Sequence, residues 1–269
     1  MTGGAVVLVY HLSGYPGPLN LTASELVGIY LGTITKWNDT TLVQNNPGLA
    51  AFNVGITAVH RADPAGMTYV LTNYLSDWNS TWRNDPSLGT SIAPTWPTFA
   101  GADGPSGNSA LLSAVKSTNG AIGYTDLYDA EVKALAIGSV VNSHDVPIYP
   151  SYADTKSAIA DVYAAISGSL PPPTGDWSAV SWVNASGATD YPLATLVYLL
   201  VPQDPANGHT ASATDATVLR QWIDWVVTSG QSYNTTEFPF VGPPGALLTQ
   251  DVSALPGMTF DGAAFPSCS

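Results

Sequence analysis

Charge is scarce in this chain. Asp, Glu, Lys and Arg make up 10% of its 269 residues, where a typical soluble domain has about a quarter. Cations are the scarcer sign, with 7 Lys and Arg against 20 Asp and Glu and a formal net charge of −13. No basic stripe exists to neutralise phosphodiesters, which argues against nucleic acid as a partner and equally against docking on anionic lipid. Cysteine is nearly absent. Cys268 stands alone in the C-terminal tail, so an internal disulfide and a thiolate metal cluster are both excluded. No apolar run approaches the length of a membrane span, and residues 1–11 read as entry into a buried strand, not as a signal peptide. Internal repeats, heptad runs and charged low-complexity tails are missing too.

What the chain does have is material for a core. Hydrophobic residues make up 45% of it, with 8 Trp and 13 Tyr, enough to fill one large domain or two small lobes. The surface falls to Ser, Thr, Asn and Gly. Asn20, Asn38, Asn79, Asn184 and Asn234 each begin an N-x-S/T sequon and are candidate glycosylation sites. Sequons together with few charges favour an extracytoplasmic chain, whether periplasmic, cell-surface or secreted.

Strand and helix patterns alternate along the sequence. Residues 5–10 form a continuous apolar run, read as a buried strand. Thr22-Ala23-Ser24-Glu25 is a capping box opening a short helix that Gly32 ends. A strand over 52–59 leads to Asp63-Pro64, which predict the N-cap and first position of a helix. Met67, Val70, Leu71, Tyr74, Leu75 and Trp78 give that helix an apolar stripe. Further helices are predicted over 109–117, around Ile159 to Ile166 and around Val218 to Val226, with strands at 121–124 and 193–201. Such alternation implies an α/β sheet with helices on its faces. The linker-like stretches are 168–176 and 202–214.

Catalytic and metal motifs are not apparent. His11, His60, His144 and His209 share no ligand spacing. The glycine-rich stretch 101–107 lacks a following Lys and reads as a turn. There is no G-x-S-x-G elbow, and Asp126 with Asp129 show ordinary surface spacing. No enzyme, metal or cofactor is expected. The best candidate site is the start of the helix after Pro64. There the backbone N–H groups of Ala65, Gly66 and Met67 offer an anion site by geometry and dipole. Arg61 adds a planar fork that Asp63 can orient. On spacing alone, a structural ion pair beside an N-cap is the better explanation of Arg61 and Asp63.

Several stretches, in order, resemble the PstS family of phosphate-binding proteins of ABC transporters. They are Ile29-Tyr30-Leu31-Gly32 with Lys36-Trp37-Asn38-Asp39, Asn46-Pro47-Gly48, Val59-His60-Arg61-Ala62-Asp63, Gly120-Ala121-Ile122-Gly123-Tyr124, and Tyr191-Pro192-Leu193. The resemblance implies a type II periplasmic-binding-protein fold, two α/β lobes joined by crossover strands with the anion between them. Residues 12–192 would then be one complete lobe carrying half of the site. Residues 1–11 and 193–269 would supply the crossovers and the rest of a partial first lobe, whose opening segment would lie ahead of residue 1. The resemblance also implies phosphate or a similar oxyanion as ligand and an ABC transporter permease as partner. Arg61, Asp63, Ala65, Gly66, Met67 and Thr68 are the ligand-binding positions it implies. Ala65 and Met67 stand where the family has Ser and Thr, and each missing side-chain donor would cost about 1.5–3 kcal/mol of anion binding, with Thr68 a substitute for one. The alternative is a surface or assembly protein that reuses the fold, with a second chain or a copy of itself completing the partial lobe.

Overall fold

Ten consecutive residues at the start of the chain, Thr2–His11, form the strand β1 around which the rest is organised. Val6 to Val9 are almost wholly enclosed, as a strand covered on both faces requires. The computed structural model describes residues 2–207, 212–234 and 240–265. His209, Cys268 and the side chain of Asn234 lie outside the described residues.

After β1 come β2 (Asn20–Leu21), α1 (Ala23–Tyr30), α2 (Thr40–Asn45), β3 (Thr57–Val59), α3 (Gly66–Trp78), α4 (Ser80–Asn84) and β4 (Ala102–Asp103). The chain continues through α5 (Asn108–Ser117), β5 (Ala121–Asp126), α6 (Leu127–Val132), β6 (Ala136–Val141), β7 (Pro147–Ile148) and α7 (Tyr152–Ile166). It closes with β8 (Ala194–Val197), α8 (Ala213–Val227), α9 (Gly245–Ala254) and the hairpin strands β9 (Thr259–Phe260) and β10 (Ala263–Ala264). The main sheet runs β2-β6-β1-β5-β3-β4, with β7 added to β6 and β8 to β1. β1 is antiparallel to β5, β6 and β8, whereas β3 is parallel to β4 and β5. The predicted α/β class is the observed one.

β1 serves two bodies of the molecule. Its second half pairs with β5 from Val6 to His11, and its first half pairs with β8 from Thr2 to Ala5. The principal core gathers residues from Ala5 to Leu193. A second cluster joins Ile159 and Val162 of α7 to Ala194 and Leu196 of β8, with Val241 and Leu247. A third, small cluster holds Ile223, Val227, Leu255 and Met258. Thus α7 turns its apolar face to the second cluster and not to the core of the segment it follows.

Local chemistry explains most boundaries. The Thr22–Glu25 capping box forms as its pattern requires, with Thr22 N–H donating to Glu25 Oε2 at 2.6 Å and Glu25 N–H to Thr22 Oγ1 at 3.2 Å. Ser151 and Ser212 cap α7 and α8 by accepting from the N–H groups of Asp154 and Asp215, without the reciprocal backbone bond of the box. Two predicted strands are shorter than their apolar runs. The strand expected over 52–59 is reduced to 57–59, because Pro47–Ala51 makes a 3₁₀ turn and Val54 instead accepts from Trp37 N–H at 2.9 Å. The strand expected over 193–201 stops at Val197, where β1 runs out of partners, and Leu200 is 91% exposed. At Trp78 the helical stripe has left the core: the ring is half exposed and its indole N–H donates to Asn184 Oδ1.

Gly120 shows how closely the strands approach. It has φ +91°, and a Cβ there would collide with the carbonyl oxygen of Gly55. Its own carbonyl accepts from the buried Trp37 indole N–H at 2.9 Å. Gly120→Ala is therefore expected to lower unfolding free energy by about 2–3 kcal/mol in a denaturant titration, whereas Gly168→Ala, with open space around it, should have little effect.

Candidate functional site

The segment between β3 and α3 builds the candidate site. Arg61 leaves the end of β3 with its backbone N–H donating to the Tyr124 hydroxyl at 3.0 Å and its carbonyl accepting from Trp96 Nε1 at 3.0 Å. The chain is thereby tied to β5 on one side and to the 90s loop on the other. His60 stacks on Trp96 with ring centroids 4.6 Å apart. Burial pushes its pKa below the ordinary histidine value, so the ring is neutral at pH 7.

The Arg61 guanidinium is 11% exposed and forms a two-pronged pair with Asp63, Nε to Oδ1 at 2.7 Å and Nη2 to Oδ2. Asp63 Oδ1 also accepts from the Gly107 N–H at 2.7 Å. With the Arg61 bonds as the main cause, the Asp63 carboxyl is held well below the usual carboxylate range, while the same bonds raise Arg61.

This pairing corrects the sequence reading of the helix start. Asp63 does not cap α3, because both of its oxygens are taken by Arg61 and Gly107. The helix begins at Gly66, two residues later than Pro64, and its N-cap is Ala65, which has no side-chain acceptor. Ala65 N–H donates to Ile92 O at 2.9 Å and is spent. The first backbone bond of the turn runs from Tyr69 N–H to Ala65 O, so the N–H groups of Gly66, Met67 and Thr68 carry the positive end of the helix. The Thr68 hydroxyl points inward, fully buried, at 2.7 Å from the Tyr124 hydroxyl. That side chain is therefore committed to Tyr124, although its N–H stays at the helix start.

Arg61, Ala65, Gly66 and Met67 share one wall of a cleft of about 1580 Å³. The opposite walls come from Gly4 to Val6 of β1, β8 and the segment after it, and the 173–183 loop with Trp177 and Trp182. Small-ligand pockets run to roughly 300–1,000 Å³, so a single oxyanion would occupy only the Arg61 corner. Asp126 also lines the cleft, and burial raises its pKa. Sequence spacing gave it a surface role. Its position at the end of β5, where one oxygen caps α6 through Asp129 N–H at 2.9 Å, comes from the register with β1.

The other sequence candidates lie elsewhere. Asn20, Asn38, Asn79 and Asn184 are half-buried. Asn79 Oδ1 accepts from Trp82 N–H, and Asn184 Nδ2 donates to Asp77 Oδ2 at 2.6 Å, so a glycan on Asn184 would give up that bond. Among the described residues no group of three or more His, Cys, Asp or Glu could hold a metal ion, and no helix is long and apolar enough to cross a membrane.

Comparison with known proteins agrees with this architecture. Residues 1–229 match the model of the PBP superfamily domain, and the chain belongs to that superfamily. Within it, the chain resembles proteins named phosphate-binding protein PstS. The one from Xylella fastidiosa (strain Temecula1) is 30% identical over 253 residues, covering 92% of this chain and 63% of the relative. The one from Methanocaldococcus jannaschii is 29% identical over 248 residues, covering 90% of this chain and 62% of the relative. This chain thus spans less than two thirds of the length of these relatives. A high-affinity periplasmic phosphate-binding protein solved with phosphate superposes with a TM-score of 0.68 at 18% identity, over 94% of this chain and 69% of its own. A phosphate-binding protein from Stenotrophomonas maltophilia gives 0.64 at 17% identity, over 94% of this chain and 68% of its own. The two-lobe α/β fold expected from the sequence is the fold these comparisons give.

Two measurements probe the site's construction. Tyr124→Phe leaves the Arg61 N–H and the Thr68 hydroxyl short of a partner, and is expected to cost about 1–3 kcal/mol of unfolding free energy. The Arg61–Asp63 pair sets a pH dependence. A depressed carboxyl pKa stabilises the fold above the unfolded value of 3.8 and loses that contribution as pH falls through the lowered folded value. The stability gap between wild type and Asp63→Asn should therefore be widest above pH 5 and narrow steadily toward pH 2 in acid titrations.

Proposed function

We propose that this chain is an extracytoplasmic substrate-binding protein that holds phosphate or a similar oxyanion and delivers it to an ABC transporter permease. The observation that carries the reading is the corner where a nearly buried Arg61 shares one wall of the cleft with Gly66 and Met67, at the N-terminal start of α3. A planar fork and a helix N-terminus are the two commonest protein devices for an oxyanion, and the relatives at 29–30% identity carry the name phosphate-binding protein. In this reading the chain binds and releases its ligand and catalyses nothing. Residues 12–192 form the lobe that carries the corner, while residues 1–11 and 193–269 provide the crossovers and part of the other lobe. Ala65 and Met67 bring no side-chain donor, so the anion is held by backbone and guanidinium alone, and affinity is lower than a site with two added hydroxyls would give.

A second reading has its own support. Val197 and Leu200, beside the cleft, are 54% and 91% exposed, and Trp222 and Trp225 on α8 are 47% and 46% exposed, large apolar groups that another chain or a copy of this one could cover. Under that reading the fold serves assembly and the corner is vestigial.

Titration calorimetry with inorganic phosphate separates the two. Binding that Arg61→Gln weakens about 10- to 100-fold, the worth of one or two charge-assisted hydrogen bonds, is the result expected of a receptor. No heat at millimolar phosphate, combined with a concentration-dependent mass in solution, would favour the assembly protein.

A further inference from the structure

Away from the cleft, two carboxylates meet where α7 passes the loop that feeds β8. Asp190, in that loop, is fully buried. Its Oδ2 accepts from Gly187 N–H at 2.8 Å, but its Oδ1 has no hydrogen-bond partner. Asp161, on the outer face of α7, brings its own Oδ2 to the same place. A Cβ on Gly187 would lie 2.5 Å from Asp190 Oδ2 and 2.7 Å from Asp161 Oδ2. Both oxygens therefore crowd one point, and a side chain at 187 would displace them. Two carboxylates drawn to one point repel each other when both are ionised, and a cation or a proton between them relieves that repulsion.

The surroundings favour the proton. The neighbouring carbonyls that could complete a cation cage, those of Gly187 and Ala188, accept from the Asn142 amide at 3.5 and 3.0 Å. Among the described groups on α7, on the loop and on the strands β1 and β8 packed against it, Asp190 is the one whose charge acts on Asp161. No lysine, arginine or histidine offsets it there. We propose that Asp161 and Asp190 share a proton and act as an acid-closed latch between α7 and the loop leading into β8. With the proton in place, one carboxyl donates to the other where their Oδ2 atoms converge, and the like-charge repulsion is removed. When the proton leaves, two like charges face each other and the latch loosens.

The pKa of Asp161 is raised, first by the charge of Asp190 and then by burial. A raised carboxyl pKa places the stabilising contribution below the unfolded value of 3.8 and loses it as pH rises through the folded value. The latch therefore holds in acid and weakens toward neutrality, opposite in sign to the Arg61–Asp63 pair.

The test compares melting temperatures of wild type, Asp161→Asn and Asp190→Asn from pH 4 to pH 8, with and without 5 mM (about that level) CaCl₂ after chelator treatment. Asp161 is exposed, so Asp161→Asn folds even if Asp190→Asn does not. An Asn mimics the protonated partner. Asp161→Asn should thus melt above wild type at pH 8, by on the order of 3 °C, with the gap closing toward pH 4. Curves that stay parallel across the range would overturn the latch. So would an Asp161→Asn protein that melts below wild type at pH 8. A calcium-dependent rise in wild type that Asp161→Asn abolishes would also overturn it, in favour of a cation.

Discussion

Everything else in this molecule is hung on the hydrogen-bonded ladder of β1. Ten residues of one strand pair with β5 and β6 through the second half and with β8 through the first. Backbone groups buried to that degree have no water to fall back on, so each unpaired position would cost about 1–3 kcal/mol. The ladder is therefore the constraint that fixes where β5 ends. Since Tyr124 and Asp126 sit in the last three residues of β5, it also fixes where Arg61 and α3 can sit. The cleft has Gly4 to Val6 of the same strand in its wall, so one element serves as both core and cleft wall.

The sequence made local elements legible where a side chain decides the outcome alone. The Thr22–Glu25 box, the α5 helix and the apolar run of β1 all formed as their patterns required. The reading failed where a side chain had two suitors. Asp63 fits an N-cap by every local rule, yet a guanidinium two residues away and the distant N–H of Gly107 compete for the same oxygens and win. A two-pronged pair between two ionised groups is stronger than the single backbone N–H bond that a cap would give the same carboxylate. Thr68 was likewise drawn inward by Tyr124, 56 residues away in the chain. No periodicity records such a contact.

The superfamily and the two-lobe fold were readable because they rest on many short stretches in a fixed order. The corner around Arg61 was readable as a place, though not in its detail. Sequence placed a free N–H on Ala65; the structure moves the free set one residue onward to Gly66, Met67 and Thr68, because Ile92 reaches Ala65 first. The carboxylate pair at Asp161 and Asp190 was invisible, since 29 positions of chain separate two residues that only α7 and the β8 loop bring together.

The deep seating of Arg61 has a consequence for how fast any anion arrives. The chain carries a net charge of −13, and the cation that would attract an oxyanion is sheltered and already matched by Asp63. An approaching anion feels the repulsion of the whole surface long before it feels the guanidinium. Mobile ions shorten the reach of that repulsion to about 8 Å at physiological ionic strength, while the short-range contacts at the corner are screened far less. In the proposed receptor role, added salt would thus speed anion capture, the reverse of the behaviour of receptors whose entrances are positively charged.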